Sequence, residues 1–453
     1  MSLELSQSES AAGGNLHAVL AGAVTSPAAA PSPAKAPPFR FVPPEPRSLA
    51  DTGLTAGELD ALVLKLLLVR GTSTGRAAAE ATCLPRSLVA ESFERLRQEL
   101  LVAIKGAAGI DDFIYQLTDA GHDRGARLAK QASYAGVAPV PMECYLDAMR
   151  RQSLNESRLN RARLAAAFDD LRLNAELLGQ VGQAVNDGRG MFLFGPPGNG
   201  KTSISERVVS AFGEYVWIPH TISIDGELVR LYDPRSHKAV DIPQLSEAPH
   251  DRRWVLIERP TIVVGGELTL QQLELQANPA TGVCEAPVQL RANCGALVVD
   301  DFGRQRVPAA DILNRLIVPM EKHQDYLVLA SGRQVSLPFD MLLVFSTNLE
   351  PRDLVDEAFL RRIPYKIEVT GPTETEFVEL FLDLARQVGG ACRPDVVQSL
   401  IERHYRHQQR PLRYCHPRDL LRQVRNLCEY NDRPLEITPA TLDVAVKNYF
   451  AAL

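Results

Sequence analysis

Apolar residues recur at helical spacing near the start of the chain. The segment LTAGELDALVLKLLLVRG, residues 54–71, predicts an amphipathic helix with Thr55 as its N-cap and Gly71 as its stop. Two more helical segments follow, TGRAAAEATCL and RSLVAESFERLRQELLVAI, and then the strand-like DDFIYQLTDAG and the helix start HDRGARLAK. This pattern predicts a small α+β unit.

The middle of the chain has a different pattern, with short continuous apolar runs. The runs GMFLF, ALVV and MLLVF each span four or five residues, which is typical of strands buried on both faces of a parallel sheet. From residue 371 onward the pattern is helical, and Thr438 followed by Pro439 begins the last helix. We therefore expect the α/β fold class, with a parallel-sheet core, a helical C-terminal region and the small α+β unit in front.

Composition shifts place the boundaries between these parts. Residues 1–48 are rich in Ala and Pro and predict a disordered tail, because they contain too few large apolar side chains to form a core. The α+β unit occupies residues 49–135 and a linker residues 136–165. The core spans residues 166–370, with a β-rich insertion at about 214–285, and the helical region spans 371–453.

Charge and cysteine content exclude several classes of protein. The 453 residues are 45% hydrophobic and 23% charged, with a net charge of −6, which is typical of a soluble globular protein and argues against a dedicated nucleic-acid coat. The seven cysteines have no CxxC spacing, so we expect neither a disulfide framework nor a zinc site. The N-terminus lacks a basic region and a long apolar run. We therefore expect no signal peptide and no membrane span, and a cytoplasmic location.

One glycine-rich octet carries a specific chemistry. It fits GxxxxGK[ST] directly after the run GMFLF. Its residues, with the serine that follows, are Gly195, Pro196, Pro197, Gly198, Asn199, Gly200, Lys201, Thr202 and Ser203. Glycines allow consecutive backbone N–H groups to converge on a phosphate at the start of a helix. Lys201 can reach the β- and γ-phosphates and the Thr202 hydroxyl can bind Mg²⁺. The octet predicts a nucleoside-triphosphate site.

Acidic and amide groups follow two of the other apolar runs. Asp300 and Asp301 come after ALVV, and Asn348 comes just after MLLVF. Because parallel strands end at one edge of a sheet, all three should lie beside the phosphate loop. We expect Asp300 to hold the Mg²⁺ shell, Asp301 to orient and polarise the attacking water, and Asn348 to position water or contact the γ-phosphate.

Five motifs occur in the order of an AAA+ ATPase: GPPGNGKT, LVVDD, FSTN, EAFLRRI and HPRDLL. The chain resembles that family from about residue 168 to its C-terminus. The resemblance implies an αβα nucleotide domain, a helical lid, and a homo-oligomeric ring, usually of six subunits, with ATP bound between neighbours. It makes Asn348 the sensor-1 residue and Arg362, or Arg361, the arginine finger that reaches the adjacent subunit. Arg418 becomes the sensor-2 arginine of the lid.

Two further features refine this resemblance. The family usually has Glu after the Walker B Asp, whereas this chain has Asp301, so hydrolysis is slow or the site has adjusted to the shorter side chain. PVQLRANCGALVVDDFGRQ looks similar to the MoxR-like and chelatase-like branch. That likeness makes the β-rich insertion either the contact with a protein client or a structural flap. The predicted function is ATP-driven remodelling of an unknown protein partner.

A DNA-binding regulator and an ATP-binding scaffold are the alternatives. Three helices and a strand ending at Leu117–Gly121 resemble a winged helix, which binds DNA or protein. Residues 51–130 contain ten Lys and Arg against eleven Asp and Glu, and this nearly neutral balance favours binding of protein over binding of DNA. The lid carries an arginine-rich run that suits either nucleic acid or ATP phosphates and the neighbouring subunit: Arg403, Arg406, Arg410, Arg413, Arg418, Arg422 and Arg425. The scaffold alternative depends on Asp301 alone.

Overall fold

The computed structural model describes residues 41–154, 158–169, 173–242, 249–278 and 280–451. Residues 1–40 of the predicted tail lie outside the described residues. Residues 41–48 belong to the same predicted tail, yet they pack on the chain. The Phe41 ring lies edge-on to Trp254 with ring centroids 5.8 Å apart, and the Ser48 hydroxyl caps the first helix by accepting from the Asp51 N–H.

The helices and strands are numbered in chain order. The helices are α1 (Leu49–Thr52), α2 (Ala56–Arg70), α3 (Gly75–Thr82), α4 (Arg86–Gln98), α5 (Asp119–Gln131), α6 (Met142–Gln152), α7 (Arg161–Ala167), α8 (Ala175–Asp187), α9 (Lys201–Ser210), α10 (Val288–Arg291), α11 (Ala309–Lys322), α12 (Pro351–Leu354), α13 (Glu357–Arg362), α14 (Glu374–Gln387), α15 (Pro394–Ile401), α16 (Cys415–Tyr430) and α17 (Pro439–Tyr449). The strands are β1 (Thr72–Thr74), β2 (Val102–Ala107), β3 (Phe113–Leu117), β4 (Val140–Pro141), β5 (Met191–Phe194), β6 (Tyr215–Pro219), β7 (Thr221–Ile224), β8 (Glu227–Arg230), β9 (Trp254–Glu258), β10 (Thr261–Val264), β11 (Gln276–Asn278), β12 (Val283–Glu285), β13 (Ala296–Val299), β14 (Gln324–Val328), β15 (Gln334–Pro338), β16 (Leu342–Thr347) and β17 (Tyr365–Glu368). Leu270–Leu273 forms a 3₁₀ turn and Glu402–Arg406 a π-helical turn.

A five-stranded parallel sheet forms the centre of the fold. Its strand order is β10-β13-β16-β5-β17, so the strand before the glycine-rich octet lies between β16 and β17. Every residue of β13 and β16 is buried, as expected for strands covered on both faces. Alternate side chains therefore pack into two helical layers. Leu193 belongs to the core that includes Val181 of α8, and Phe192 to the core that includes Ile312 of α11.

The β-rich region differs from its prediction in extent. Thr261–Val264 lies inside the predicted insertion at 214–285, but it pairs in parallel with Ala296–Val299 as a strand of the central sheet. The predicted linker also contains α6, whose Tyr145 and Met149 are buried against the β-rich part. Isolated apolar runs predict strands but do not specify their partners, so the pairing of Thr261–Val264 with the central sheet could not be read from its composition.

The β-rich part has its own core. Three groups of strands enclose this core: a mixed sheet of order β11-β12-β8-β7-β4, the pair β6-β9 and the hairpin β14-β15. Trp217, Trp254 and Leu327 are among its buried side chains. The β14-β15 hairpin follows α11, so this core is assembled from segments far apart in the chain.

The two ends of the described chain complete the architecture. A small α+β unit precedes the core, with α2 to α5 packed on the antiparallel sheet β1-β3-β2. Helices α14 to α17 share a separate core after it. The predicted fold class, α/β with a parallel sheet, a helical lid and a preceding α+β unit, is confirmed. In the part of the chain that the structure describes, no helix is long and apolar enough to cross a membrane.

Candidate nucleotide site

The glycine-rich loop connects β5 to α9 at the carboxyl edge of the central sheet. Gly195, Gly198 and Gly200 have φ angles of 127°, 82° and 85°, a region that favours glycine. A Cβ on Gly195 would lie 2.8 Å from the carbonyl oxygen of Val369, so that position also needs a residue without a side chain. Gly200 precedes α9 and gives it no side-chain cap. The first N–H groups of α9 therefore remain available to an anion in the loop.

Lys201 lies across the inside of this loop. Its ammonium donates to the carbonyl oxygens of Gly195 and Pro196 at 2.9 and 3.1 Å and to Asn348 Oδ1 at 2.7 Å. Burial lowers the pKa of Lys201, and the carboxylates of Asp300 and Asp301 oppose this shift. The lysine is thus held in the loop by three oxygens, which is the coordination that phosphate oxygens would also provide.

The acidic residues lie beside the loop, directly after β13, which is separated from β5 by β16. Thr202 Oγ1 donates to Asp300 Oδ2 at 3.0 Å. The backbone N–H of Asp300 donates to the Val264 carbonyl at 2.8 Å, which fixes the end of β13 against β10. The hydroxyl and the carboxylate are hard oxygen ligands of the kind Mg²⁺ prefers, and Mg²⁺ is usually bound by one or two carboxylates together with substrate phosphates. Thr202 and Asp300 therefore fit a magnesium ion.

Asn348 connects the lysine to the second aspartate. Its Oδ1 accepts from Lys201, and its Nδ2 donates to Asp301 Oδ1 at 3.2 Å. Asp301 has a φ of 47°, in the left-handed region, and its N–H donates to Asp300 Oδ1 at 3.0 Å. A non-glycine residue in that region costs of order 1–3 kcal/mol, and such strain is concentrated at functional sites. The Asp301 carboxylate is therefore held in one place at the edge of the site.

The lid contacts the loop from the other side. The backbone N–H of Cys415, at the start of α16, donates to the Gly198 carbonyl at 3.0 Å. The buried Asn199 side chain donates to the Val369 carbonyl at 3.3 Å and accepts from the Tyr414 N–H at 3.4 Å. Asn199 and Gly198 thus join the phosphate loop to the segment that leads into the lid and to α16 itself.

Arg413 was not among the predicted site residues, but the structure places it beside the loop. A Cβ on Gly198 would lie 3.7 Å from Arg413 Cδ, and the charge of Arg413 adds to the lowering of the pKa of Lys201. Its buried Nε has no hydrogen-bond partner among the described residues. The only sequence signal was its place in the arginine-rich run of the lid. That run does not indicate which arginine faces the loop.

The structure does not bring the predicted arginines to the loop of the same chain. Arg361 and Arg362 are exposed at the end of α13, and Arg362 Nε lies 3.3 Å from Glu321 Oε1. Arg418 Nε lies 3.2 Å from Asp419 Oδ1, and its side chain is 73% exposed. The residues that meet in one chain are therefore the loop, Asp300, Asp301 and Asn348, together with Arg413.

The chain is only distantly similar to the proteins with which it was compared. A family described as "Domain of unknown function (DUF8689)" matches residues 373–448, which is the lid. No curated protein matches the chain at a significant level. Among solved structures, the RuvB Holliday junction branch migration motor of Thermotoga maritima is 11% identical, with 62% of this chain and 70% of that chain covered and a TM-score of 0.35. NtrX from Brucella abortus is 15% identical, with 69% of each chain covered and a TM-score of 0.37. NtrX in complex with ATP is also 15% identical, with 64% of this chain and 62% of that chain covered and a TM-score of 0.36. Similarity at this level does not assign a function, so the geometry of the loop has to carry that assignment.

Proposed function

We propose that the chain is an AAA+ ATPase of the MoxR-like or chelatase-like kind, which binds ATP with Mg²⁺ at residues 195–203 and hydrolyses it. One observation carries the proposal. Five polar residues follow three adjacent strands of one parallel sheet and are linked by hydrogen bonds at its carboxyl edge: Lys201, Thr202, Asp300, Asp301 and Asn348. Ligands bind at that edge in open α/β sheets.

The chain's own groups account for phosphate binding. Phosphate oxygens of ATP would replace the two carbonyl oxygens that Lys201 now contacts, and the N–H groups at the start of α9 would complete the cradle. Thr202 and Asp300 would hold Mg²⁺, which neutralises charge that develops on the phosphate oxygens. Arg413, whose guanidinium is always charged, would add a second cation from the lid side.

Asp301 and Asn348 would position the attacking water. The bond from Asn348 fixes the carboxylate, which can accept a proton from that water. Asp301 is one methylene shorter than the usual glutamate, and misplacing a catalytic group by about 1 Å can cost about 10²-fold in rate. We therefore expect ATP binding to be ordinary and turnover to be slow.

The arginine finger and the ring belong to the same proposal. The exposed ends of Arg361 and Arg362 would reach the ATP of a neighbouring subunit in a homo-oligomeric, hexameric ring. The Glu321 partner of Arg362 is half-exposed, so the ion pair would break at little cost. ATP-driven movement of the lid would then be transmitted to a protein client, with the β-rich part as the candidate contact and the winged-helix-like unit as an adaptor in the cytoplasm.

Mixing two inactive variants tests the shared site. Lys201→Ala removes the phosphate contact and Arg362→Ala removes the finger, so we expect each variant alone to lose most Mg²⁺-dependent hydrolysis. An equimolar mixture should regain activity, because some interfaces would combine an intact loop with an intact finger. Arg361→Ala, assayed in parallel, identifies which of the two arginines acts.

Arg352→Ala is the matched control, since Arg352 is an exposed arginine paired with Glu350 on α12. It should leave the rate unchanged. Full activity of both Arg361→Ala and Arg362→Ala would contradict the shared site. So would a mixture of Lys201→Ala with whichever arginine variant is inactive, if that mixture is no more active than its components.

The ion pairs of the arginine-rich regions count against a DNA-binding function. In the lid, Arg406 lies between Glu374 and Glu402, and Arg403 contacts Asp443. On α4, Arg95 and Arg97 pair with Asp60 and Glu94 in the same way. Arginines already matched by carboxylates attract phosphate weakly. Binding of duplex DNA with a steep salt dependence would instead favour a DNA-binding function.

A further inference from the structure

A cavity of about 440 Å³ lies between the α+β unit and the β-rich part, away from the phosphate loop. One face of α2 and the end of α5 line one side, and the β7-β8 hairpin lines the other. Leucines contribute much of the wall from both sides, including Leu54, Leu62, Leu128 and Leu228. The volume and the apolar lining are typical of sites that hold small organic ligands.

A lysine interrupts this apolar lining. Lys65 stands in the middle of the run LVLKLLLV of α2, where an aliphatic residue would fit the pattern. It is only 9% exposed, and its ammonium donates to the Ala132 carbonyl at 3.2 Å. Lys65 and Ala132 both line the cavity, so the charge lies in the cavity wall. Residues that break a local pattern at a stability cost are expected at functional positions.

The charge of Lys65 has little compensation in the described part of the chain. An ammonium has three donors, and the contact with Ala132 uses one of them. Burial lowers the pKa of Lys65, with no carboxylate among the described residues opposing that shift. Glu58 and Glu227 also line the cavity, but Glu58 caps the first turn of α2 and Glu227 accepts from two N–H groups of the β14-β15 turn. An isolated buried charge is costly, and an anionic ligand would remove that cost.

The wall beside Lys65 is held in place from the opposite side. The Ser133 N–H donates to the Thr281 carbonyl at 2.9 Å, and Tyr134 Oη lies 3.1 Å from Thr221 Oγ1. Gly282 packs so closely that a Cβ there would lie 2.6 Å from the Gln131 carbonyl oxygen, and its φ is 65°. The cavity is therefore preformed, which reduces the entropy cost of binding a ligand.

We propose that this cavity binds an apolar small molecule with a single carboxylate, of the class of a medium-chain fatty acid. The carboxylate accepts hydrogen bonds from the Lys65 ammonium, and the hydrocarbon replaces water against the leucines. This site is independent of the ATPase function. It lies at the junction between the α+β unit and the β-rich part, so its occupant would also strengthen the contact between them.

Calorimetric titration of the full chain with sodium decanoate, below its micellar concentration, tests the proposal. We expect saturable binding with one site per chain. Lys65→Met keeps an unbranched side chain, one atom shorter, and removes the charge. It should weaken decanoate binding by about 10-fold or more, as loss of a charge-assisted hydrogen bond predicts. Decanol should bind more weakly than decanoate to the wild type and equally to both proteins.

A second variant keeps the test valid if Lys65→Met does not fold. Ala61 also lines the cavity, and Ala61→Phe should fill it and weaken both decanoate and decanol. Absence of saturable decanoate binding to the wild type would overturn the proposal. Equal decanoate affinity in the wild type and Lys65→Met, or undiminished affinity in Ala61→Phe, would overturn it as well.

Discussion

Substituting Gly198 by alanine tests the contact between the phosphate loop and the lid. Gly198 has a φ of 82°, where an alanine costs about 1–2 kcal/mol. The new Cβ would also lie 2.5 Å from Cys415 Sγ, far inside an ordinary contact. Forcing such an overlap typically costs about 1–3 kcal/mol. The second cost depends on the sulfur of Cys415, whereas the first does not.

Cys415→Ala should therefore rescue part of the defect. Without the sulfur, the nearest atom of residue 415 to the new Cβ is its own Cβ at 3.5 Å, an ordinary van der Waals distance. We expect Gly198→Ala to weaken ATP binding, Cys415→Ala alone to have a small effect, and the double variant to regain about 1–3 kcal/mol. That recovery corresponds to roughly 5- to 150-fold in affinity.

The assay is a double-mutant cycle on ATP affinity. Calorimetry on the wild type, the two single variants and the double variant gives a coupling energy from the four dissociation constants. If the two single effects add within about 0.5 kcal/mol, residues 198 and 415 do not interact in solution. In that case the lid does not rest on the loop as the structure has it, and the reasoning is refuted.

Three further predictions concern the site and the lid. Asp301→Asn keeps the size of the side chain and its bond from Asn348 but removes the proton acceptor. Steady-state assays should therefore show a loss of about 10²-fold or more in kcat, with ATP affinity retained. An unchanged kcat would show that Asp301 takes no part in the chemistry. Arg413→Ala should weaken ATP binding by about 10-fold, whereas Arg418→Ala, at an exposed position, should change it by less than about twofold, and equal effects in a nucleotide titration would contradict this order. Burial lowers the pKa of His416 to about 4, below its ordinary value of 6.5. As the pH falls, the unfolded chain therefore takes up this proton before the folded chain does. The stability of the lid should be full above pH 6.5 and should fall by up to about 3 kcal/mol between pH 6.5 and pH 4. Amide exchange of the lid helices should show this fall in the wild type and a smaller one in His416→Gln, and identical pH profiles would exclude His416 as its source.

The loop could be predicted from sequence because its geometry is local. Glycines at fixed spacing between a strand and a helix allow the positive φ angles of the loop beside Lys201, so its turn follows from local sequence. Asp300 and Asn348 were predictable for a different reason, since the strands that precede them are continuous apolar runs and parallel strands end at one edge. Both inferences use rules that act within one element or between neighbouring strands.

Features that depend on long-range packing were not predictable. Thr261–Val264 has the composition of any β-strand, and only its pairing with Ala296–Val299 makes it part of the central sheet. Arg413 lies beside the loop because the lid folds back onto Gly198, more than 200 residues earlier in the sequence. The cavity beside Lys65 likewise needs two separate parts of the chain to close it.

Hydrolysis of ATP by the purified chain, with Lys201→Ala beside the wild type, tests the central claim most directly. We predict Mg²⁺-dependent release of phosphate by the wild type, at a slow rate that increases per subunit with protein concentration, and none above background by Lys201→Ala. Equal phosphate release by the two proteins would show that the activity does not come from this loop. A wild type that fails to bind ATP at all would contradict the assignment of the site itself.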